Sequence, residues 1–190
     1  MQPARRLPTV LPDQPLPDVA RITEVLDRHG VDYLVIGGVA TQAYGAERPT
    51  SDFDCLVRRS VENFDRLAAA MRELRARLRV EGLSDKEAAA LPVQLDGLTL
   101  SRSQISTWAT DAGNLDILVD MVDRQGRRQR YEGLEAAAER LTVRGIQVRV
   151  AGLKDIIASK EHAGRPKDRA ALPELYRLRD GAAGGTPPGT

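Results

Sequence analysis

The hydrophobic positions in the first part of the chain change from helical spacing to strand spacing. One face of a predicted helix is formed by Val19, Ile22, Val25 and Leu26. Asp18 can cap this helix, and Gly30 can end it. Residues 31–36 are apolar on both faces, which is typical of a buried central strand. The pattern therefore predicts a helix followed by an inner strand.

Residues 52–57 show the alternation of a strand with one buried face. Phe53 and Cys55 belong to the apolar face, whereas Asp52 and Asp54 share the other face. Along a strand, alternate side chains lie about 6–7 Å apart. Two carboxylates at that distance repel each other unless a cation lies between them, and Mg²⁺ prefers such oxygen ligands.

The rest of the chain predicts further elements of both kinds. Helices are expected at residues 61–78, 131–141, 152–163 and 166–179, the last interrupted by Pro173, with a short helix after a capping box at Ser84. Strands are expected at 98–100, 105–110 and 115–121, with a hairpin at 142–150 around Gly145. These elements predict an α/β (α+β) fold with a mixed central sheet flanked by helices and closed by C-terminal helices.

Composition and the chain ends refine this prediction. The 190 residues carry a formal net charge of +1 and one cysteine, which excludes an internal disulfide. We expect a flexible arm at 1–16, a core at 17–150, C-terminal helices at 151–180 and a disordered tail at 181–190. Because no apolar run reaches membrane-spanning length and no signal core is present, we expect a cytoplasmic protein.

The glycine pair Gly37-Gly38 follows the first predicted strand. Without side chains, these residues allow the backbone to approach a phosphate closely, although an ordinary strand-to-helix turn uses glycines too. The sequence contains neither of the two common glycine-rich nucleotide motifs, so it offers no P-loop and no dinucleotide site.

A third acid, Asp116, lies on the strand predicted at residues 115–121 and shares a face with Asp120. If this strand pairs beside residues 52–57, Asp116 joins Asp52 and Asp54. The alternative is that Asp116 caps a turn. We favour a functional role for Asp116 and a surface role for Asp120.

Charged residues gather where the last two predicted helices meet. Lys160 lies on the inward stripe of its helix, where a lysine needs a partner, and Asp168 is inward on the next helix. These two residues, with Arg165 and Lys167, either form a structural salt bridge or bind a triphosphate. Arg124, Arg127, Arg128 and Arg130 form a basic run, which is usually a solvated loop but could hold RNA.

The motifs together resemble the DNA-polymerase-β-like nucleotidyltransferase superfamily. They are Gly37-Gly38, the run Thr50-Ser51-Asp52-Phe53-Asp54, and Asp116. Residues 153–160 and 164–168 resemble the helices of the AbiEii/MenT-type toxins within that superfamily. The resemblance extends over about residues 31–178. It implies transfer of a nucleotide from a nucleoside triphosphate (NTP) to the 3′ acceptor end of a tRNA, which blocks translation.

The resemblance also implies site residues and partners. Two Mg²⁺ ions would be held by Asp52, Asp54 and Asp116, and Asp116 would help to activate the acceptor hydroxyl. Lys160 completes the implied catalytic set. The implied nucleotide contacts are Gly37, Gly38, Arg48, Thr50, Ser51, Arg165, Lys167 and Asp168. The expected partners are tRNA, the NTP and a cognate antitoxin protein, with no membrane.

Three matters stay open at this stage. Many superfamily members have Gly-Ser where this chain has Gly37-Gly38, so the missing hydroxyl could come from Thr50 or Ser51. A phosphate on Thr50 would repel substrate and is a candidate form of regulation. The alternatives to tRNA modification are transfer to a protein or a small molecule such as an aminoglycoside, and nucleotide binding without catalysis.

Overall fold

The computed structural model describes residues 16–80 and 82–183. Its helices are α1 Val19–Arg28, α2 Gly37–Ala43, α3 Val61–Glu73, α4 Asp85–Ala89, α5 Gly97–Arg102, α6 Tyr131–Leu134, α7 Leu153–Ala163 and α8 Pro166–Ala183. Its strands are β1 Tyr33–Ile36, β2 Asp52–Val57, β3 Arg77–Leu78, β4 Ile105–Thr110, β5 Gly113–Leu118, β6 Met121–Val122, β7 Arg128–Gln129, β8 Glu139–Val143 and β9 Ile146–Val150.

Seven strands form one mixed sheet in the order β3-β4-β5-β2-β1-β9-β8, and β6 pairs with β7 in a separate ribbon. The pairs β2–β5 and β1–β9 are parallel, and the other pairs of the sheet are antiparallel. Helices from both the N-terminal and the C-terminal parts of the chain pack beside this sheet, so the predicted fold class is confirmed. No helix within the described residues is long and apolar enough to cross a bilayer.

Two apolar clusters hold the layers together. The larger one combines the inner faces of the strands with α1 and α3, and includes Phe53, Cys55, Phe64 and Met71. The smaller one consists of Ala46, Ile157, Ala171 and Leu175 and packs α7 and α8 against the loop that follows α2. This second cluster positions the C-terminal helices beside the start of β2.

Several local predictions are confirmed because their signals are local. Asp18 caps α1 by accepting a hydrogen bond from the Arg21 N–H, at 3.0 Å. Strand β2 has the predicted bounds. Ser84 forms the predicted capping box with Glu87 at the start of α4. The hairpin around Gly145 is also present, as β8 and β9.

The predicted helix at 61–78 is wrong in its last part. Helix α3 ends at Glu73 because Arg75 adopts a left-handed conformation, with φ 53°, and its N–H bonds to the Arg72 carbonyl. The chain then reverses, and Arg77 and Leu78 form the edge strand β3 on β4. A short edge strand of two residues carries too little periodicity to be separated from the helix pattern.

Three further elements differ from the predictions. Residues 98–100 are helical, because Asp96 caps α5 by accepting from the Thr99 N–H. The helix predicted at 131–141 is present only as a short helical turn. The last residues of that predicted range belong instead to strand β8, which is hydrogen-bonded to β9. The strand predicted at 115–121 ends at Leu118, with Met121 in β6.

At the C-terminus, α8 continues through Pro173 instead of being interrupted, and Pro173 lies on the exposed side of the helix. The helix reaches Ala183, three residues into the predicted tail. The rest of that tail, and the predicted arm up to residue 15, lie outside the described residues.

Candidate active site

Parallel pairing of β2 with β5 brings the three acids to one place. Asp54 is directly opposite Asp116, and Asp52 is opposite Asn114. Directly opposite residues on neighbouring strands share a face of the sheet. The three carboxylates therefore line one cleft with a volume of about 410 Å³, which α2, α7 and α8 border on the other side.

The acids repel one another in a partly dry environment. Burial, followed by the charges of Asp116 and Asp52, raises the pKa of Asp54 to about 7. Burial and the charge of Asp52 raise the pKa of Asp116 to about 6. Lys167 opposes both shifts, and Arg79 opposes the shift of Asp116. The cluster thus holds more negative charge than its surroundings compensate.

The donor set fits a divalent cation. Asp116 Oδ1 is buried and has no hydrogen-bond partner among the residues that the structure describes. A buried carboxylate oxygen without a partner is costly, and a hard cation would satisfy it. Asp52 is held by Ser51 Oγ at 3.0 Å and Asn114 Nδ2 at 3.1 Å.

The acids are not arranged as a closed cage. Within the described parts of the chain, no group of three or more His, Cys, Asp or Glu side chains is placed so that it could hold a metal ion together. Asp54 and Asp116 are the acids best placed to hold Mg²⁺. Asp52 could join them by exchanging its present hydrogen bonds for the ion.

The two glycines are required by close contacts. Gly37 has φ 63°, and a Cβ at this position would overlap the Asp54 carboxylate. The Gly38 backbone N–H favours the ionised form of Asp54 and so partly opposes the rise in its pKa. A Cβ at Gly38 would overlap the Thr50 side chain. Thr50 therefore occupies the space next to residue 38, and its hydroxyl donates to the Asp52 carbonyl at 3.2 Å.

The predicted charged residues of the last two helices also reach the cleft. Asp168 is 1% exposed and accepts from Lys160 Nζ at 3.3 Å and from Arg165 Nε at 2.6 Å. Burial alone would raise the pKa of Asp168, but the Arg165 hydrogen bond and the Lys160 charge outweigh it and lower the pKa. The predicted structural salt bridge is thus present, and both cations still line the cleft.

The remaining predicted contacts surround the same cleft. Arg48, Thr50, Ser51 and Lys167 are among its lining residues. Arg48 donates to the Ala170 carbonyl of α8 at 3.4 Å. The structure thus brings all twelve predicted site residues to one cleft, and their assigned roles stay predictions.

The basic run after β6 lies elsewhere. Asp120 pairs with Arg128 at 2.9 Å, and Asp123 pairs with Arg127 at 2.7 Å. Arg124 pairs with Glu161 at 3.5 Å. None of these residues lines the cleft. Their carboxylate partners favour the solvated-loop interpretation over RNA binding.

Sequence reasoning missed one site residue. Arg79 forms an ion pair with Asp52 Oδ1 at 3.6 Å, although it is not among the residues that line the cleft. The signal was present in the alternation of Arg75, Arg77 and Arg79, which matches the period of a strand. The helix predicted through residue 78 concealed it.

Comparisons with known proteins agree with this architecture. No family model matches the chain, and no curated protein matches its sequence. Among solved structures, the chain is similar to the antibiotic-resistance factor ANT(2″)-Ia, with a TM-score of 0.56 and 18% identity over 87% of this chain and 82% of that one.

Two other solved structures are similar over most of their length. One is the lincosamide antibiotic adenylyltransferase LnuA with bound lincomycin, with a TM-score of 0.54 and 13% identity over 85% of this chain and 96% of that one. The other is a Thermotoga maritima protein described as a nucleotidyltransferase, with a TM-score of 0.51 and 14% identity over 84% of this chain and 90% of that one. At such identities the likeness shows the fold, which is the nucleotidyltransferase fold.

Proposed function

We propose that this nucleotidyltransferase-fold protein is a Mg²⁺-dependent enzyme that transfers a nucleoside monophosphate from an NTP to the 3′ acceptor end of tRNA. We further propose that it acts as the toxin of a bacterial toxin–antitoxin pair. The observation that carries the enzymatic part is the meeting of Asp52, Asp54 and Asp116 at one cleft. The tRNA and antitoxin parts are supported by the motif resemblance described above.

The residues of the cleft have different proposed roles in the reaction. Bound Mg²⁺ would neutralise the triphosphate and the developing charge on the phosphoryl oxygens. Asp54 and Asp116 would hold the metal, with Asp52 as the third ligand. Gly37 and Gly38 leave room for the phosphates, and Lys160 and Arg165 pair with them. Asp168 orients these two cations.

The transfer step balances without any further reactant. The acceptor hydroxyl oxygen attacks the α-phosphorus, and the bond from the α-phosphorus to the β-phosphate oxygen breaks. Pyrophosphate leaves with the bonding electrons, and the hydroxyl proton passes to Asp116. Asp116 takes this role because the motif resemblance assigns it to activating the acceptor hydroxyl.

The decisive experiment incubates the protein with Mg²⁺, labelled NTPs and a mixture of tRNA, protein and aminoglycoside. We expect label on tRNA, a lengthened tRNA 3′ end and slower growth on expression. Asp52→Ala and Asp116→Ala should abolish transfer with the fold intact by circular dichroism. Asp180→Ala, a change at an exposed acid far along α8, is the matched control. Near-normal transfer by either acid variant would refute the assignment.

A small-molecule acceptor is the second candidate. It is favoured by the similar structures, since ANT(2″)-Ia has been solved with adenylyl-2″-tobramycin and LnuA with lincomycin. The same mixture decides between the candidates, because label on the aminoglycoside instead of tRNA would establish this second function. Nucleotide binding without any labelled product would indicate a binding module.

Thr50 is the candidate point of control. Its side chain lies against Gly38 in the cleft and is part-buried. A phosphate there would repel the triphosphate and fill its space. Mass spectrometry of protein co-expressed with its antitoxin should find a phosphate on Thr50. An unmodified Thr50 in every condition would count against this form of regulation.

A further inference from the structure

The face of the sheet that carries the acids continues beyond them across β4 and β3. Asp54, Asp116 and Thr107 form one cross-strand row, and the Arg79 N–H bonds to the Thr107 carbonyl at its end. The next row consists of Asp52, Asn114, Ala109 and Arg77. Since directly opposite residues share a face, Arg77 lies on the same face as the acids.

The strip between the acids and β3 has no large side chain on the face of the acids. Its members Thr107, Ala109 and Asn114 are small or short side chains, and all three are part-buried. The opposite face of β4 is different, because Trp108 and Thr110 are buried there. Helices α2, α7 and α8 border the acids on the other side. The route from Asp116 to this edge of the sheet therefore crosses β4 and β3.

Three arginines at alternate positions follow this route, and we name Arg75, Arg77 and Arg79 the arginine row. Their side chains are 79%, 46% and 33% exposed, so exposure falls toward the acids. Arg75 and Arg77 both pair with Asp111, at 3.6 and 3.2 Å. Arg79 reaches over the sheet to Asp52.

The arginine row carries more positive charge than its partners balance. Arg75 and Arg77 share a single carboxylate, that of Asp111. The partner of Arg79 is Asp52, an acid that we assign to the metal. Once Asp52 binds a cation, the charge of Arg79 is available to another anion. The approach to the acids is thus cationic, which disfavours a polycation such as an aminoglycoside.

From this geometry we propose that the arginine row binds the phosphate backbone of the acceptor, a nucleic acid strand whose 3′ hydroxyl lies at Asp116. The proposal rests on the transferase function proposed above. Guanidinium groups bind phosphate in a bidentate manner. Arg77 and Arg79 lie on the face of the acids, and Arg75 precedes them at the turn after α3, so the row presents three phosphate-binding groups between the sheet edge and the acids.

The test measures binding of fluorescein-labelled tRNA by anisotropy over a range of salt concentrations. We expect Arg77→Glu to weaken tRNA binding about tenfold or more, because a charge-assisted hydrogen bond is lost and repulsion is added. The slope of log K against log salt should fall by about 0.7–1 for each lost phosphate contact. Arg79→Ala serves as a second variant that removes charge without reversing it.

Arg140→Glu provides the matched control, since Arg140 is exposed on β8 at the opposite edge of the sheet. It should leave tRNA affinity unchanged. Binding of a fluorescent ATP analogue with Mg²⁺ should stay within about twofold in Arg77→Glu and Arg140→Glu, because a tenfold effect needs the loss of a direct contact. Selective loss of tRNA affinity in the row variants establishes the proposal.

Three outcomes overturn the proposal. They are unchanged tRNA affinity in the row variants, an equal loss in Arg140→Glu, and no tRNA binding by the unaltered protein. Each of them leaves the transferase standing if labelled nucleotide still reaches another acceptor. Conversely, if the unaltered protein binds no NTP, the proposed transferase function is refuted. The tRNA titration still tests whether the arginine row binds nucleic acid.

Discussion

The two cationic regions beside the acids are built in opposite ways. On the side of α7 and α8, Lys160 and Arg165 are tied to a carboxylate, Asp168, that is 1% exposed. On the side of β3, Arg75 and Arg77 are tied to Asp111, which is 52% exposed. A buried carboxylate fixes its partners, whereas an exposed ion pair exchanges readily with solvent and ligands.

This difference matches the two proposed ligands. In-line attack on the α-phosphorus requires the triphosphate to be held in one geometry, so a fixed set of cations suits it. A nucleic acid strand presents phosphates in variable conformations, so exposed and mobile arginines suit it. Changes on the α7–α8 side should therefore affect both folding and nucleotide binding. Changes at Arg75, Arg77 or Asp111 on the β3 side should affect acceptor binding more than nucleotide binding.

Among changes that leave the three acids in place, the largest effect is expected for Gly37→Ala. The new Cβ would overlap the Asp54 carboxylate, and φ at Gly37 is 63°. Displacement of a metal-binding acid by about 1 Å can lower the rate a hundredfold. We expect a loss of that size in labelled nucleotide transfer. The measurement is transfer to whichever acceptor the unaltered protein uses.

Gly145→Ala is the matched control for backbone strain. Gly145 has φ 79°, but a Cβ there would meet nothing within 4 Å. It should lose about 1–2 kcal/mol of unfolding free energy, as expected for a left-handed non-glycine residue, and keep full activity. Equal activity in the two variants would show that Asp54 is not held in place by Gly37.

The second prediction compares the two anchoring carboxylates directly. Asp168→Asn keeps the volume but removes a buried charge with two partners, so unfolding free energy should fall by about 1.5–3 kcal/mol. NTP affinity should fall as well. Asp111→Asn should change stability by less than about 1 kcal/mol, because its ion pairs are exposed. It should strengthen tRNA binding, since it frees Arg75 and Arg77.

Denaturant titrations and the two binding assays measure these effects. The comparison between the two sides fails if Asp111→Asn destabilises the protein as much as Asp168→Asn does. It also fails if Asp168→Asn weakens tRNA binding more than NTP binding.

Much of the α7–α8 side could be predicted from the sequence, and most of the β3 side could not. Helical spacing placed Lys160 and Asp168 inward, because a long amphipathic helix carries several turns of periodic signal. The alternation in β2 placed Asp52 and Asp54 on one face. Which strand lies beside β2 depends on tertiary pairing, so Asp116 could only be a conditional member of the cluster.

The β3 side depends on the left-handed backbone conformation of Arg75, for which the sequence gives no signal. A glycine at position 75 would have indicated the end of α3, but an arginine in the left-handed region gives no such signal. The helix pattern therefore ran on through 78 and concealed Arg79. Likewise, β8 forms because it pairs with β9. The residue preferences at 131–141 carry no information about that pairing, so they could not predict the strand.

The third prediction concerns pH and the acids that lie between the two regions. In the unfolded chain an aspartate has its ordinary pKa near 3.8, whereas burial raises that of Asp54 to about 7 and that of Asp116 to about 6. Between about pH 4 and pH 7 the folded protein retains protons that the unfolded chain has released. Stability of the metal-free protein should therefore fall as pH rises through this window.

Calorimetry with a chelator should show a Tm a few degrees lower at pH 7.5 than at pH 5. Added Mg²⁺ should raise the Tm more at pH 7.5, where the acids are ionised. Lys167→Met should raise the pKa of both acids, whereas Arg79→Met should raise that of Asp116. A Tm that rises from pH 5 to pH 7.5 in the metal-free protein would contradict the mutual repulsion of these acids.

The smallest effect, and the sharpest separation of folding from binding, is expected for Arg75→Gly. Arg75 has φ 53° and its side chain is exposed, so glycine should relieve strain and stabilise the protein by about 1 kcal/mol. The same change removes the outermost cation of the arginine row and should weaken tRNA binding about twofold to fivefold, as for an exposed ion pair.

Arg144→Gly is the counterpart of this variant outside the row. Arg144 has φ 51°, but its side chain donates to the Pro17 carbonyl and to Gln42 Oε1, each at 3.0 Å. Strain relief and lost hydrogen bonds should nearly cancel in stability, and tRNA affinity should not change. If Arg75→Gly were more stable yet bound tRNA as tightly as the unaltered protein, the row would begin at Arg77, because Arg75 would contribute strain without contact.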